Sequence, residues 1–192
     1  MKPNQLTIIA LLFVALPCAA SWTLDNAASQ VSFVSVKAGD AGEAHHFTRI
    51  SGKLAADGSA TVTIELASVD TMIPVRDERM REMLFETGVF PTATLTTKID
   101  MAALGDIKSG ESMDVPASLS LSLRDQKVAL SAEMIVARLG DQRLMVSSRK
   151  PVIVNAASVD LVNGIEALRE VANLPSISKA VPVSFVLTFD AD

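Results

Sequence analysis

The feature that most constrains this chain is a two-residue alternation of apolar and polar side chains, which recurs along most of its length. Four segments show it most clearly: residues 61–66, 94–101, 115–123 and 181–189. In residues 115–123 every second position is Val, Ala or Leu, and most positions between them are Ser. Because successive side chains of a strand point to opposite faces, this pattern predicts strands with one apolar face.

Five further segments carry a weaker form of the same pattern. They are residues 29–36, 50–55, 128–137, 143–148 and 152–155. Strands with one apolar face are typical of antiparallel sheets, in which the core covers one side. About eight such strands can bury their apolar faces in a sandwich or in a closed barrel, and a barrel also removes the exposed edges. The sequence therefore predicts an all-β fold.

Two helical segments interrupt the strands, at residues 75–85 and 164–172. In the first, Asp77 and Arg81 are four residues apart, a spacing that predicts an ion pair. Its predicted inward face consists of Met80, Met83 and Leu84. Asn163 is a plausible cap for the second helix. The apolar stripe of that helix is Ile165, Leu168 and Val171 or Ala172.

The first 21 residues have the composition of a secretory signal peptide. Lys2 precedes an apolar run at residues 6–16, and small residues follow it. This run is short for a bilayer span, which takes about 20 residues, so we predict no stable membrane insertion after cleavage. Cys18 invites a lipoprotein interpretation, but Ala15 and Pro17 do not fit a lipoprotein signal. The predicted mature domain, residues 22–192, contains no cysteine.

Composition argues against several classes of function. The formal net charge is -5, and no block of Lys or Arg exists, which disfavours a nucleic-acid partner. His45 and His46 are the only histidines, and neighbouring residues on a strand point to opposite faces. They therefore make a poor metal site or catalytic pair. We find no Gly-rich phosphate loop and no serine nucleophile elbow, so the sequence predicts no enzyme, cofactor or metal.

Several motifs in collinear order resemble the YceI-like family of periplasmic lipid-binding barrels. The mature chain opens with Trp22-Thr23-Leu24-Asp25, and Ser29-Gln30-Val31-Ser32-Phe33 follows. The strongest segment is 67–91, which contains Ser68-Val69-Asp70-Thr71 and ends in Phe90-Pro91. Two features depart from the family pattern. Lys37 stands where a His is common, and residues 39–47 replace a short loop, which we expect to alter the mouth of the tunnel.

This resemblance implies a lipocalin-like antiparallel barrel of about eight strands with two short helices, located in the periplasm. It also implies an apolar tunnel that sequesters or transports a polyisoprenoid or a fatty-acid derivative. The alternative is an envelope-stress or interaction protein with the same fold and a filled core. Whether two barrels pair as a homodimer stays open. The predicted ligand-binding residues are Phe33, Val62, Ile64, Leu66, Met80, Met83, Leu84, Leu119, Leu121, Phe185 and Leu187.

Overall fold

The computed structural model describes residues 21–192, and its described part is built mainly from strands. The predicted signal peptide, apart from Ser21, lies outside the described residues. The strands are β1 (Trp22–Leu24), β2 (Gln30–Lys37), β3 (Ala41–Phe47), β4 (Ile50–Leu54), β5 (Ser59–Glu65), β6 (Val69–Asp70), β7 (Thr92–Lys98), β8 (Ser112–Leu123), β9 (Gln126–Gly140), β10 (Arg143–Ser148), β11 (Val152–Asn155) and β12 (Ala180–Ala191).

These segments form one closed, antiparallel, eight-stranded barrel, as predicted. Four barrel strands are each interrupted once, so that β1 continues into β2, β3 into β4, β5 into β6 and β10 into β11. For example, β10 and β11 both pair with β12. Strand β10 pairs with the C-terminal half of β12, and β11 pairs with the N-terminal half of β12. Closure occurs at β1, which pairs with β4 on one side and with β12 on the other.

Three α-helices accompany the barrel in the described residues, where the sequence predicted two helical segments. They are α1 (Pro74–Arg79), which continues as a π-helical turn over Met80–Leu84, α2 (Met101–Asp106) and α3 (Val162–Val171). The helix that was not predicted is α2. Asp100 caps it by accepting hydrogen bonds from the backbone N–H groups of Ala102 and Ala103, so β7 ends at Lys98 and does not continue to residue 101.

Two predicted local interactions of the helices are wrong. Asp77 does not pair with Arg81; it accepts hydrogen bonds from the backbone N–H and the hydroxyl of Thr71, at 2.8 and 2.5 Å. The carboxylate of Asp77 is therefore bonded to a residue six positions earlier in the chain and not to Arg81. Asn163 is not the cap of α3, because that helix begins one residue earlier and Leu161 precedes it.

Residues 39–47, which stand where the family pattern has a short loop, are mostly strand. Ala41–Phe47 is strand β3, which pairs with β2 over seven residues, from Phe47 opposite Val31 to Ala41 opposite Lys37. The turn between the two strands consists of Ala38, Gly39 and Asp40, and the first two of these have positive φ. These residues are therefore part of the barrel wall.

Helix α2 covers one end of the barrel. Its Leu104 and the following Ile107 are buried, and Arg138 of β9 donates hydrogen bonds to the carbonyl oxygens of both residues, at 3.0 and 2.7 Å. The Arg138 guanidinium also lies 5.8 Å from the ring centre of the buried Trp22. This end is closed, which leaves the opposite end, near α1 and α3, as the way into the barrel. Within residues 21–192, no helix is long and apolar enough to cross a bilayer.

Candidate functional site

The interior of the barrel contains a cavity of about 380 Å³. Its wall is formed by the inward-facing residues of the strands and by the helices at the open end. Ten of the eleven predicted ligand-binding residues line it: Phe33, Val62, Ile64, Leu66, Met80, Leu84, Leu119, Leu121, Phe185 and Leu187. Met83 is not part of the wall. Alternation along each strand accounts for this grouping, because Val62 and Ile64 of β5, for example, lie on the same face.

A second, smaller cavity of about 60 Å³ lies deeper in the barrel, towards α2. Leu104 of α2 and Leu144 of β10 are part of its wall. Five residues line both cavities and separate them: Val62, Leu95, Leu119, Phe185 and Leu187. All five are aliphatic or aromatic, so the wall between the two cavities is apolar.

The large cavity reaches the surface between α1 and the C-terminal end of α3. Ile73, Val75 and Val171 line the cavity, and they are also 44%, 52% and 44% exposed. Met72, which precedes this group, is 84% exposed and has a φ of 62°. A left-handed backbone is unusual for a residue with a long side chain. The mouth is therefore rimmed by exposed apolar side chains.

The two helices at the open end contact each other at a glycine. A Cβ atom on Gly164 of α3 would lie 2.7 Å from the carbonyl oxygen of Met83 and 2.8 Å from the Cα of Leu84. Only a residue without a side chain permits this approach. Beneath the contact, Met80, Phe85 and Ile165 are buried and line the cavity. Together α1, the π-helical turn and α3 form a roof over part of the open end.

One side of the cavity is polar, along the paired strands β2 and β3. His45 lies opposite Phe33, and Glu43 lies opposite Ser35. The Ser35 hydroxyl is 2.9 Å from Nε2 of His45, and the Lys37 ammonium is 2.9 Å from Glu43. All five residues line the cavity. The wall therefore changes from apolar inside the barrel to charged at the rim.

Charges at this polar side are balanced around Glu43. The carboxylate of Glu43 accepts hydrogen bonds from Lys37 and from the guanidinium of Arg76 on α1, and these bonds hold the pKa of Glu43 below its ordinary value. Burial lowers the pKa of His45, and the positive charge of Arg76 lowers it further. At neutral pH the carboxylate of Glu43 is therefore ionised, and the imidazole of His45 is neutral.

Two buried polar atoms of this group have no hydrogen-bond partner in the described part of the chain: Nδ1 of His45 and Nε of Arg76. His45 is only 3% exposed, and its ring is 5.2 Å from that of Phe33. Buried polar atoms without partners are uncommon in native proteins because each costs free energy. Both residues line the same cavity.

Sequence reasoning did not select this polar group, because Glu43 and His45 interrupt the alternation of apolar and polar residues. It also missed apolar wall residues such as Val31, Phe47 and Val183. Alternation alone could have identified Val183, which precedes Phe185 by two residues in β12. No comparable signal pointed to Phe47, because its neighbours on the same face of β3 are His45 and Glu43.

The histidine pair divides between the two faces of β3, as the strand geometry requires. His45 points into the cavity, whereas His46 is half-buried on the other face, 3.9 Å from the carboxylate of Asp70. Within residues 21–192, no three His, Cys, Asp or Glu side chains are placed to hold a metal ion.

Comparison with known proteins gives a consistent result. The YceI-like domain matches residues 22–189. A polyisoprenoid-binding domain from Saccharophagus degradans, implicated in plant cell wall breakdown, is 40% identical. It covers 89% of this chain and 98% of its own, with a TM-score of 0.87. The chain belongs to the YceI family. No curated protein matches it.

Two more distant structures support the fold of this YceI-family chain. BcnA from Burkholderia cenocepacia is 17% identical and covers 86% of this chain and 98% of its own, with a TM-score of 0.67. The YceI protein of Campylobacter jejuni is 17% identical and covers 75% and 82%, with a TM-score of 0.52. Family membership and the cavity together support binding of an apolar ligand, and they indicate a binding protein rather than an enzyme.

Proposed function

We propose that this YceI-family protein binds one long apolar chain, a polyisoprenoid or a fatty-acid derivative, inside its barrel. The observation that carries the proposal is the apolar cavity of about 380 Å³, which is continuous with an exposed apolar rim. Its size falls in the range of small-molecule sites in proteins. The polyisoprenoid-binding relative at 40% identity supports the same ligand class.

The energetics of burial favour such a ligand without specific polar contacts. Each CH₂ group moved out of water contributes about 0.8 kcal/mol. A chain with ten buried methylene groups therefore gains about 8 kcal/mol before the cost of immobilising it. The alternative is a protein with a filled core that acts only through a protein partner. This alternative gives the cavity no role.

We also propose where the protein acts and what its binding of the ligand serves. The predicted leader at residues 1–21 directs the chain to the periplasm, where an apolar molecule cannot cross the aqueous space alone. Sequestration or transport of that molecule fits a barrel with one closed end and one open end. Cell fractionation that recovers the protein in the cytoplasm, with its leader intact, would contradict this part.

Binding is tested by filling the cavity. The Leu121→Trp variant adds bulk to the cavity wall, and Ile64→Phe does so more mildly in case the first variant fails to fold. Leu139→Trp is the matched control, because Leu139 is 52% exposed and is not part of the cavity wall. We expect Nile red fluorescence, and its displacement by a polyprenol, to be retained in the control and lost in both cavity variants. Equal binding by all three proteins would contradict the proposal.

A further inference from the structure

We infer that the open end of the barrel docks on the surface of a lipid bilayer and inserts four apolar side chains among the lipids. These residues, which we call the mouth patch, are Met72, Ile73, Val75 and Val171. The inference rests on the proposed function, since a long apolar ligand dissolves in a bilayer and not in water. It adds the surface from which that ligand enters the barrel.

The mouth patch is exposed and continuous with the cavity. Ile73, Val75 and Val171 line the cavity and are also exposed, and Met72 stands beyond them at 84% exposure. Single exposed apolar side chains are normal, whereas a group of them marks a contact with a partner or a membrane. When lipids cover this patch, an apolar ligand moves between bilayer and barrel without entering water.

The backbone holds Met72 in its exposed position. Its φ of 62° is left-handed, a conformation that costs energy for a residue with a Cβ atom. The peptide bond before it is held from both sides. The N–H of Met72 donates to the carboxylate of Asp70 at 2.7 Å, and the carbonyl oxygen of Thr71 accepts from Arg76 at 2.6 Å. Met72 therefore stands at the tip of a turn that charged side chains fix.

The size of the mouth patch favours a bilayer over a protein partner. A stable interface between two proteins takes about 20–30 residues on each side, whereas the patch consists of four apolar residues. Insertion into a bilayer has no such requirement, because binding strength follows the apolar area that leaves water. A few large side chains are therefore enough for reversible docking.

The charge next to the mouth patch fits a phosphate headgroup. Arg79 follows Val75 by four residues, so both lie on the same face of α1, and both line the cavity. Arg76 is paired with Glu43, but Arg79 takes part in no ion pair within residues 21–192. A guanidinium can bind a lipid phosphate while its stem stays against apolar groups. The formal net charge of -5 opposes long-range attraction to an anionic membrane, so docking depends on insertion.

Docking is tested by sedimentation with vesicles of phosphatidylethanolamine and phosphatidylglycerol. The unmodified protein, Met72→Asp and Leu139→Asp are expressed with the leader and purified from the periplasm. Leu139→Asp is the matched control, because Leu139 is exposed at the closed end, next to Arg138, which bonds to the carbonyl oxygen of Ile107. We expect the control to bind vesicles as the unmodified protein does, and Met72→Asp to bind at least about tenfold more weakly.

Met72→Asp should fold and keep its cavity. Aspartate is one of the residues that adopt a left-handed backbone most readily, and Met72 is not part of the cavity wall. Nile red binding in the absence of vesicles should therefore be unchanged in this variant. Failure of the proposed function is read separately, from retained Nile red binding by Leu121→Trp without vesicles.

Other outcomes overturn the inference. Equal vesicle binding by Met72→Asp and the unmodified protein does so, as does absence of vesicle binding while Nile red binding is kept. Binding that disappears at about 1 M salt, where the Debye length is about 3 Å, is electrostatic adhesion and not insertion. If light scattering shows a dimer that Met72→Asp converts to a monomer, the mouth patch is an interface between two copies of the chain.

A fluorescent label at position 72 reports insertion directly. Residues 21–192 contain no cysteine, so Met72→Cys and Leu139→Cys can each be labelled at one site with the environment-sensitive fluorophore NBD. On addition of the same vesicles, the emission of the label at position 72 should rise and shift to shorter wavelength. The label at position 139 should not respond. Unchanged emission at position 72 would overturn the inference.

Discussion

Asp77 accepts two hydrogen bonds from Thr71, one from the backbone N–H at 2.8 Å and one from the hydroxyl at 2.5 Å. Thr71 is 3% exposed and directly precedes Met72, whose backbone is left-handed. The pair fixes the entry to α1, and with it the position of Ile73 and Val75 at the mouth. The rim of the cavity therefore depends on a buried polar contact.

Removing this contact should loosen the mouth. We predict that Asp77→Ala lowers the free energy of unfolding by about 1–3 kcal/mol, because two hydrogen bonds to a carboxylate are lost and Thr71 remains buried. Glu78→Ala, at an exposed position of the same helix, should change it by less than about 0.5 kcal/mol. Urea denaturation of both variants measures the difference. Equal stability of the two variants would show that the pair is dispensable.

The close contact between α3 and the π-helical turn gives a second prediction. Gly164→Ala places a methyl group within 3 Å of backbone atoms of Met83 and Leu84, so the helices must move apart. We expect a clear fall in melting temperature and faster release of Nile red. Gly88→Ala is the control, since nothing lies within 4 Å of its Cβ position. Similar melting temperatures for the two variants would mean that the roof is not tightly packed.

Arg124, in the turn between β8 and β9, connects the π-helical turn with the segment that precedes α3. Its guanidinium donates to the carbonyl oxygen of Leu84 at 3.2 Å, and it lies 3.2 Å from Glu86 and 3.6 Å from Asp160. The side chain is only 12% exposed. We predict that Arg124→Met lowers the free energy of unfolding by about 1–2 kcal/mol, because the carbonyl oxygen of the buried Leu84 loses its donor. The carboxylates of Glu86 and Asp160 are about half exposed, so water replaces their partner.

The control for Arg124 is another arginine on the barrel. Arg149 forms an ion pair with Asp114, but half of its side chain is exposed. Exposed pairs of this kind contribute at most about 1 kcal/mol. Chemical denaturation of Arg149→Met should therefore show a small effect. A loss from Arg149→Met as large as that from Arg124→Met would contradict the stabilising role of Arg124.

Stability should also depend on the protonation of His45. Burial and the charge of Arg76 lower its pKa in the folded state, and Lys37 acts in the same direction, whereas Glu43 and Asp77 oppose the shift. Below the ordinary histidine pKa of about 6.5, the unfolded chain binds more protons than the folded one. The folded state therefore loses stability as the pH falls through this value, by at most about 1.4 kcal/mol per pH unit.

Thermal melts between pH 5 and pH 7 test this dependence. His45→Phe should lose the part of the slope that begins near the ordinary histidine pKa, and His46→Phe should keep it. A slope that is unchanged in His45→Phe would show that other groups cause the pH dependence.

The barrel could be predicted from the sequence because the alternation of apolar and polar side chains is a local property of each strand. A wall residue of β8 such as Leu121 alternates with serines, and the alternation follows directly from the geometry of a strand. Ten of the predicted residues therefore line one cavity. Met83 was an exception, because the face of a helix depends on how the segment winds, and residues 80–84 form a π-helical turn.

The polar side of the site could not be predicted in the same way. In β3 the inward positions are Glu43 and His45, so a polar cavity wall removes the alternation that identifies a strand. The start of α2 was missed for a related reason. Ile99 and Met101 continue the strand pattern, and the cap at Asp100 only acts once the chain has turned. Pairing with β2 therefore decides that residues 41–47 are a strand, and the local cap at Asp100 decides where α2 begins.

The most direct test of the hollow barrel is its contents after expression in a Gram-negative host with the leader intact. Protein purified from the periplasm is extracted with organic solvent, and the extract is analysed by mass spectrometry. We predict one long-chain lipid per protein in the unmodified chain and in Leu139→Trp, and none in Leu121→Trp. Protein that carries no lipid and binds neither Nile red nor a polyprenol would contradict the account.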